Sequence, residues 1–125
     1  MPTISENGLL TVFAEFDVDP AVQRQLIDQI ADTVAETTVH HDGFVSACFH
    51  ASVDGRRVVN YAQWTSREAW ERATAMSADD TSDHRGDDWL EQQSRHNPVA
   101  AIMRRLGAGS RSVQVFHVER IVEAP

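Results

Sequence analysis

A strand, a helix, a hairpin of two strands, a second helix, a further helical segment and a final strand follow one another along 125 residues. That order predicts one α+β domain of the split βαβ, ferredoxin-like kind, with an antiparallel sheet and helices on one face. Two further observations support it: an Asp54-Gly55 pair at the middle of the chain, and an apolar helix stripe that must lie against a sheet.

Leu9 to Val18 carries Val, Phe and Leu in partial alternation and reads as the first strand. Asp19 is placed to cap a helix that starts at Pro20, where proline's missing N–H has no helical partner to lose. This helix runs to about Thr38, with Val22, Leu26, Ile27, Ile30 and Val34 on one stripe. Phe44 to Val53 and Arg57 to Trp64 form the hairpin strands. Thr65 and Glu68 have capping-box spacing, so a second helix carries Ala69, Trp70, Ala73 and Met76 on its buried side. A polar, Asp-rich insertion is expected at about residues 77–96, with a short helix from Asp88 to Arg95 in which Trp89 serves as an anchor. Asn97-Pro98 restarts a helix that ends at Gly107, and Ser112 to Val122 supplies the last strand.

Helices on one sheet face leave the other bare. Phe49, Val53, Val59 and Tyr61 are assigned to that bare face and are too apolar for water, so a second copy is expected to cover it, giving a homodimeric α+β barrel.

Composition excludes several functions. The net charge is −8 and all 11 basic residues are arginine, with no concentrated positive field for nucleic acid. No stretch of 18 apolar residues spans a bilayer and no basic, apolar leader opens the chain, so a cytoplasmic location is expected. Cys48 is the single cysteine, which excludes an internal disulfide and a thiolate metal cluster. His40, His41, His84, His96 and His117 lack metal-ligand spacing and read as loop or surface residues, and the Asp79 to Asp88 cluster lacks the pattern of a calcium loop.

Strand alternation puts Ser46, Cys48 and His50 on one face of the hairpin, and Asn60, Ala62 and Trp64 on one face of its partner. A two-residue turn at Asp54-Gly55 sets His50 and Asn60 on opposite faces; a three-residue turn with Gly55 left-handed aligns them. The three-residue turn is adopted. It predicts a face lined by Ser46, Cys48, His50, Asn60 and Trp64, too polar and small to pack densely, and hence a cavity between sheet and helices. The imidazole, carboxamide and indole sharing that chamber is the expectation on which the functional reading rests.

Gly43-Phe44-Val45-Ser46-Ala47, His50-Ala51-Ser52-Val53-Asp54-Gly55 and Val58-Val59-Asn60-Tyr61-Ala62-Gln63-Trp64 resemble the antibiotic biosynthesis monooxygenase family, especially its quinone-forming members. The detailed match covers roughly residues 43–73. The resemblance implies oxidation of a phenolic, anthrone-like polyketide to a quinone by O2, without metal, flavin or haem. It further implies that Asn60 and Trp64 touch the substrate and stabilise its anion, that His50 is a pocket histidine, and that Arg85 is the counterpart of a family arginine. Trp70 stands where relatives carry a pocket tyrosine, which keeps an aromatic wall and removes a phenolic hydroxyl. Catalysis is thus assigned to Asn60, Trp64 and His50, and substrate contact to Trp70, Ser46, Cys48 and Arg85.

The residue types suit that chemistry in their own right. An electron-rich carbanion passes an electron directly to O2, so the protein must favour deprotonation, stabilise an oxyanion and exclude water. Carboxamide and indole N–H groups donate to an oxyanion, and an imidazole moves protons near neutral pH. Two other functions compete: haem cleavage, against which Thr74 stands where haem-cleaving relatives place their ligating histidine, and a non-catalytic dimer that binds an aromatic molecule as a pathway accessory.

Overall fold

A computed structural model describes residues 9–74, 95 and 97–125. The expected insertion at about 77–96, with Arg85 and Trp89, lies outside the described residues apart from Arg95. Four strands, β1 (Leu10–Asp17), β2 (Phe44–Ala51), β3 (Arg57–Trp64) and β4 (Gly109–His117), form one antiparallel sheet in the order β2-β3-β1-β4. Helices α1 (Gln23–Glu36), α2 (Arg67–Thr74) and α3 (Pro98–Arg105) complete the ferredoxin-like split βαβ arrangement.

Local chemistry sets each boundary. Asp19 Oδ1 accepts from the Ala21 N–H at 2.8 Å and opens a 3-10 turn at Pro20–Val22 that leads into α1. Leu26 and Ile30 are fully buried, and Val22, Ile27 and Val34 pack beside them on Phe16, Val18 and Val58. The second helix is capped one residue later than expected: Ser66 Oγ accepts from the Ala69 N–H at 3.1 Å, displacing Thr65 from that role. Asn97 Oδ1 accepts from Val99 and Ala100 at the start of α3. At its other end Gly107, at φ 73°, lets Ala108 N–H reach the Met103 carbonyl at 2.8 Å and Gly107 N–H reach that of Arg104 at 3.3 Å. This Schellman closure turns the chain straight into β4, which therefore begins at Gly109 rather than Ser112 and ends at His117 rather than Val122.

The hairpin departs from the three-residue turn. Ser52 N–H donates to the Arg57 carbonyl at 3.0 Å, which leaves four residues, Val53 to Arg56, in the loop. Side chains impose this length. The Ser52 hydroxyl donates to Asp54 Oδ1 at 2.7 Å and accepts from the Arg57 N–H at 2.9 Å, and Asp54 Oδ1 also accepts from the Arg56 N–H at 3.0 Å. Arg56 is thereby drawn into the turn, and an even-numbered loop has the parity of the two-residue alternative. Phe49 consequently opposes Asn60, and His50 opposes Val59. From α1, Gln23 Nε2 donates to the carbonyls of Ser52 and Arg57 and ties the end of the hairpin to the helix layer.

This parity corrects the face assignments. Ala47, Phe49, Asn60, Ala62 and Trp64 face the helices, whereas Ser46, Cys48, His50, Val59 and Tyr61 lie on the outer face. Phe49 packs against the core rather than facing outward, and Val53 sits fully exposed in the turn. Across the outer face runs an aromatic row: His50 to Tyr61 at 4.5 Å, Tyr61 to Phe13 at 4.5 Å, and Phe13 to Phe116 at 5.3 Å between ring centroids. One end of that face is charged, with Arg57 on Glu15 at 3.3 Å and Arg111 on Asp17 at 3.1 Å.

Candidate active site

Gly43 fixes the relation between the sheet and α2. Its φ is 90°, its carbonyl accepts from Thr65 N–H at 2.7 Å, and a Cβ there would stand 2.4 Å from the Ala69 Cβ. Only glycine allows α2 to approach this closely, and the approach seats Trp70 in one buried cluster with Trp64, Leu10, Val12 and Ala69. Phe44 meets Trp64 edge-on at 5.3 Å. A bulge at Val45/Ser46 brings Phe44 opposite Trp64 while Ser46 opposes Gln63, so Phe44 turns inward and Ser46 outward.

Between these helices and the inner sheet face lies a cavity of about 480 Å³. Phe16, Phe44, Trp64 and Trp70 contribute aromatic walls, Val12, Ala14, Ala47, Ala62, Val113 and Met103 the aliphatic ones. Small side chains at Ala14, Ala47 and Ala62 leave room that larger residues would fill. Asn60 Oδ1, Trp64 Nε1 and Ser110 Oγ are buried and make no hydrogen bond among the described residues. All three belong to residues on the cavity wall. Each unsatisfied polar atom costs roughly 1–3 kcal/mol until a partner arrives, so the cavity is built to receive oxygen or N–H groups on an otherwise apolar molecule.

Of the residues assigned from sequence, Asn60, Trp64 and Trp70 come together around this cavity. His50, Ser46 and Cys48 do not: the four-residue turn and the Val45/Ser46 bulge send them to the outer face, where His50 lies against Tyr61. The imidazole on the cavity lining is instead His41, an exposed residue beside the 3-10 turn Thr38–His40 whose sequence context is that of a surface group. Thr37, Thr38, Arg72 and Ser110 were also missed. Arg72 is the charged residue of the lining, and no Asp or Glu is found there among the described residues. Nor does any group of three His, Cys, Asp or Glu among them sit close enough to share a metal ion. No described helix is long and apolar enough to cross a membrane.

An apolar, aromatic-walled cavity with a few convergent polar groups, set in a ferredoxin-like domain, has the form of a small-molecule site. The family follows from the comparisons: residues 9–78 match the antibiotic biosynthesis monooxygenase model, and the chain belongs to that family. It is 45% identical over 80 residues to the tetracenomycin-F1 monooxygenase of Streptomyces glaucescens, covering 63% of this chain and 69% of that one. Among solved structures it is similar to a monooxygenase from the gene ActVA-Orf6 of Streptomyces coelicolor, bound to nanaomycin D, with TM-score 0.66 and 27% identity over 94% of this chain and 93% of that one. SnoaB of Streptomyces nogalater, a cofactor-independent oxygenase, shares the fold at TM-score 0.59 and 22% identity, over 94% of this chain and 99% of its own.

Proposed function

We propose that the chain is a cofactor-independent monooxygenase that converts a phenolic, anthrone-like polyketide to a quinone with O2, acting as a cytoplasmic homodimer. One observation carries the reading: the carboxamide of Asn60, whose buried Oδ1 has no partner, and the unpartnered indole N–H of Trp64 sit on the wall of one aromatic-lined cavity. The similarity to the tetracenomycin-F1 and ActVA-Orf6 monooxygenases supports the same choice.

The substrate lies flat between Trp64, Trp70 and the alanines of the sheet. Asn60 through its Nδ2 and Trp64 through its Nε1 donate to its phenolic oxygen and lower the cost of the anion in a water-poor site. The anion passes one electron to O2, and the resulting radical and superoxide combine in a C–O bond at the activated ring carbon. Loss of the remaining C–H proton and cleavage of the O–O bond leave the quinone carbonyl and one water, so one O2 is used per quinone. His50 takes no part, since the sheet separates it from the cavity. The leaving proton exits at the mouth, where His41 stands. Metal, flavin and haem have no step in this sequence, in keeping with the description of SnoaB, which shares the fold.

Dimerisation is supported by the outer aromatic row of His50, Tyr61, Phe13 and Phe116, of which Phe116 is 46% exposed.

The test is aerobic incubation of chelator-treated protein with anthrone and hydroxyanthrones, following O2 uptake and quinone absorbance together. The expected result is acceleration with equal amounts of O2 consumed and quinone formed, and a loss of about a hundred-fold in kcat for Asn60→Ala. A rate equal to buffer for every anthrone, with ligand binding intact, would turn the assignment to the non-catalytic binding protein.

A further inference from the structure

Of the three buried, unpartnered polar groups on the cavity wall, Ser110 is the one for which the proposed oxidation has no use. It is 3% exposed, its hydroxyl has no hydrogen-bond partner among the described residues, and it stands on the cavity wall. Its direction is enforced by the strand. Ser110 opposes Phe16 and Ser112 opposes Glu15, with Arg111 as the extra residue of a bulge. Regular alternation back from the inward Val113 would turn Arg111 into the cavity. The bulge keeps Arg111 on the outer face, where it meets Asp17 at 3.1 Å and Glu15 at 4.0 Å, and aims Ser110 inward in its place.

The position of this hydroxyl matters. Asn60 opposes Ala14 on β1, and Ser110 lies on the far side of β1 opposite Phe16, two residues further along. Two strand spacings and that offset put their backbones roughly 12 Å apart. A single phenol does not reach both, but a fused tricyclic does. A buried hydroxyl without a partner is less favourable in the folded chain than a methyl group of similar size, so its energetic return comes only with a ligand oxygen.

We propose that Ser110 is a specificity-determining residue whose hydroxyl hydrogen-bonds an oxygen substituent on the outer ring of a fused tricyclic substrate, at the end remote from Asn60. This rests on the reading of the cavity as an aromatic-substrate site. Asn60 and Trp64 then address the ring being oxidised, and Ser110 selects which polycyclic is presented to them.

The test separates binding from turnover. Quenching of tryptophan fluorescence is titrated with two probes, an anthraquinone carrying a hydroxyl on each outer ring and unsubstituted anthraquinone. For Ser110→Ala the expected result is a three- to ten-fold weaker Kd for the hydroxylated probe, about the value of one neutral hydrogen bond, with the unsubstituted probe unchanged. The ligand-free Tm should hold or rise, since a hydroxyl in a merely structural role would lower it when removed. Equal losses for the two probes, no loss for either, or a lowered Tm would overturn the role of Ser110 while leaving the aromatic site standing. Failure of wild-type protein to bind either probe would remove the aromatic site itself, and this role with it.

Discussion

At the scale of single residues, the proposed chemistry turns on polar atoms that folding leaves without partners. Asn60 occupies a strand interior, where asparagine is disfavoured, and gains no compensating hydrogen bond there for its buried Oδ1. His50 gives the contrasting case. Because it lies on the far side of the sheet, His50→Gln should leave kcat with an anthrone substrate essentially unchanged, whereas Asn60→Ala should not; steady-state O2 uptake compares the two directly. Gly43 makes the sharpest stability prediction. Gly43→Ala forces a Cβ to within 2.4 Å of the Ala69 Cβ and 2.8 Å of Thr65 Oγ1 at a left-handed φ of 90°. Left-handed strain of roughly 1–2 kcal/mol adds to overpacking of about 1–3 kcal/mol, and thermal unfolding should record a loss within that combined range. Since α2 must move to relieve the clash, Trp70 moves with it, and probe affinity should fall as well.

At the scale of elements, turns and caps decide which side chains meet. In the β2–β3 turn, the Arg56 N–H and then the Ser52 hydroxyl bond to the Asp54 carboxylate and hold its pKa below the ordinary 3.8. A depressed folded-state pKa means that the carboxylate's contribution is fully present above 3.8 and is lost as pH falls through the lower folded value. Asp54→Asn keeps the acceptor and removes the titration. The stability difference between wild type and this variant should therefore stay constant at neutral and mildly acidic pH and vanish at strongly acidic pH, as urea denaturation across that range will record. At α3 the Asn97 side chain caps two backbone N–H groups. Asn97→Ala should cost about 1 kcal/mol and Asn97→Asp nearly nothing, a pattern readable in Tm.

For the whole molecule, the two faces of the sheet have divided the work. The inner face holds the cavity, and the outer face carries the aromatic row, with Phe13 in edge contact with both Tyr61 and Phe116. Phe13→Asp places a charge at the centre of that row. Sedimentation equilibrium should find a dimer for wild type and a monomer for the variant, with a lower Tm; a wild-type monomer, or a dimer indifferent to the charge, would refute the outer-face interface.

The order of elements, the stripe of α1, the caps at Asp19 and Asn97 and the shared face of Asn60 and Trp64 were legible in the sequence, because periodicity and capping are local properties of the chain, and the cavity position of Trp70 followed from the family resemblance. What only the tertiary structure decided was parity. One additional turn residue, captured by the Ser52–Asp54 hydrogen bond, reversed the face on which Ser46, Cys48 and His50 lie, since side chains alternate along a strand and a shift of one residue flips them all. The same holds at β4, where a glycine closure began the strand early and a bulge turned Ser110 into the cavity. Pairing register depends on what lies across the sheet, and no window of neighbouring residues contains it.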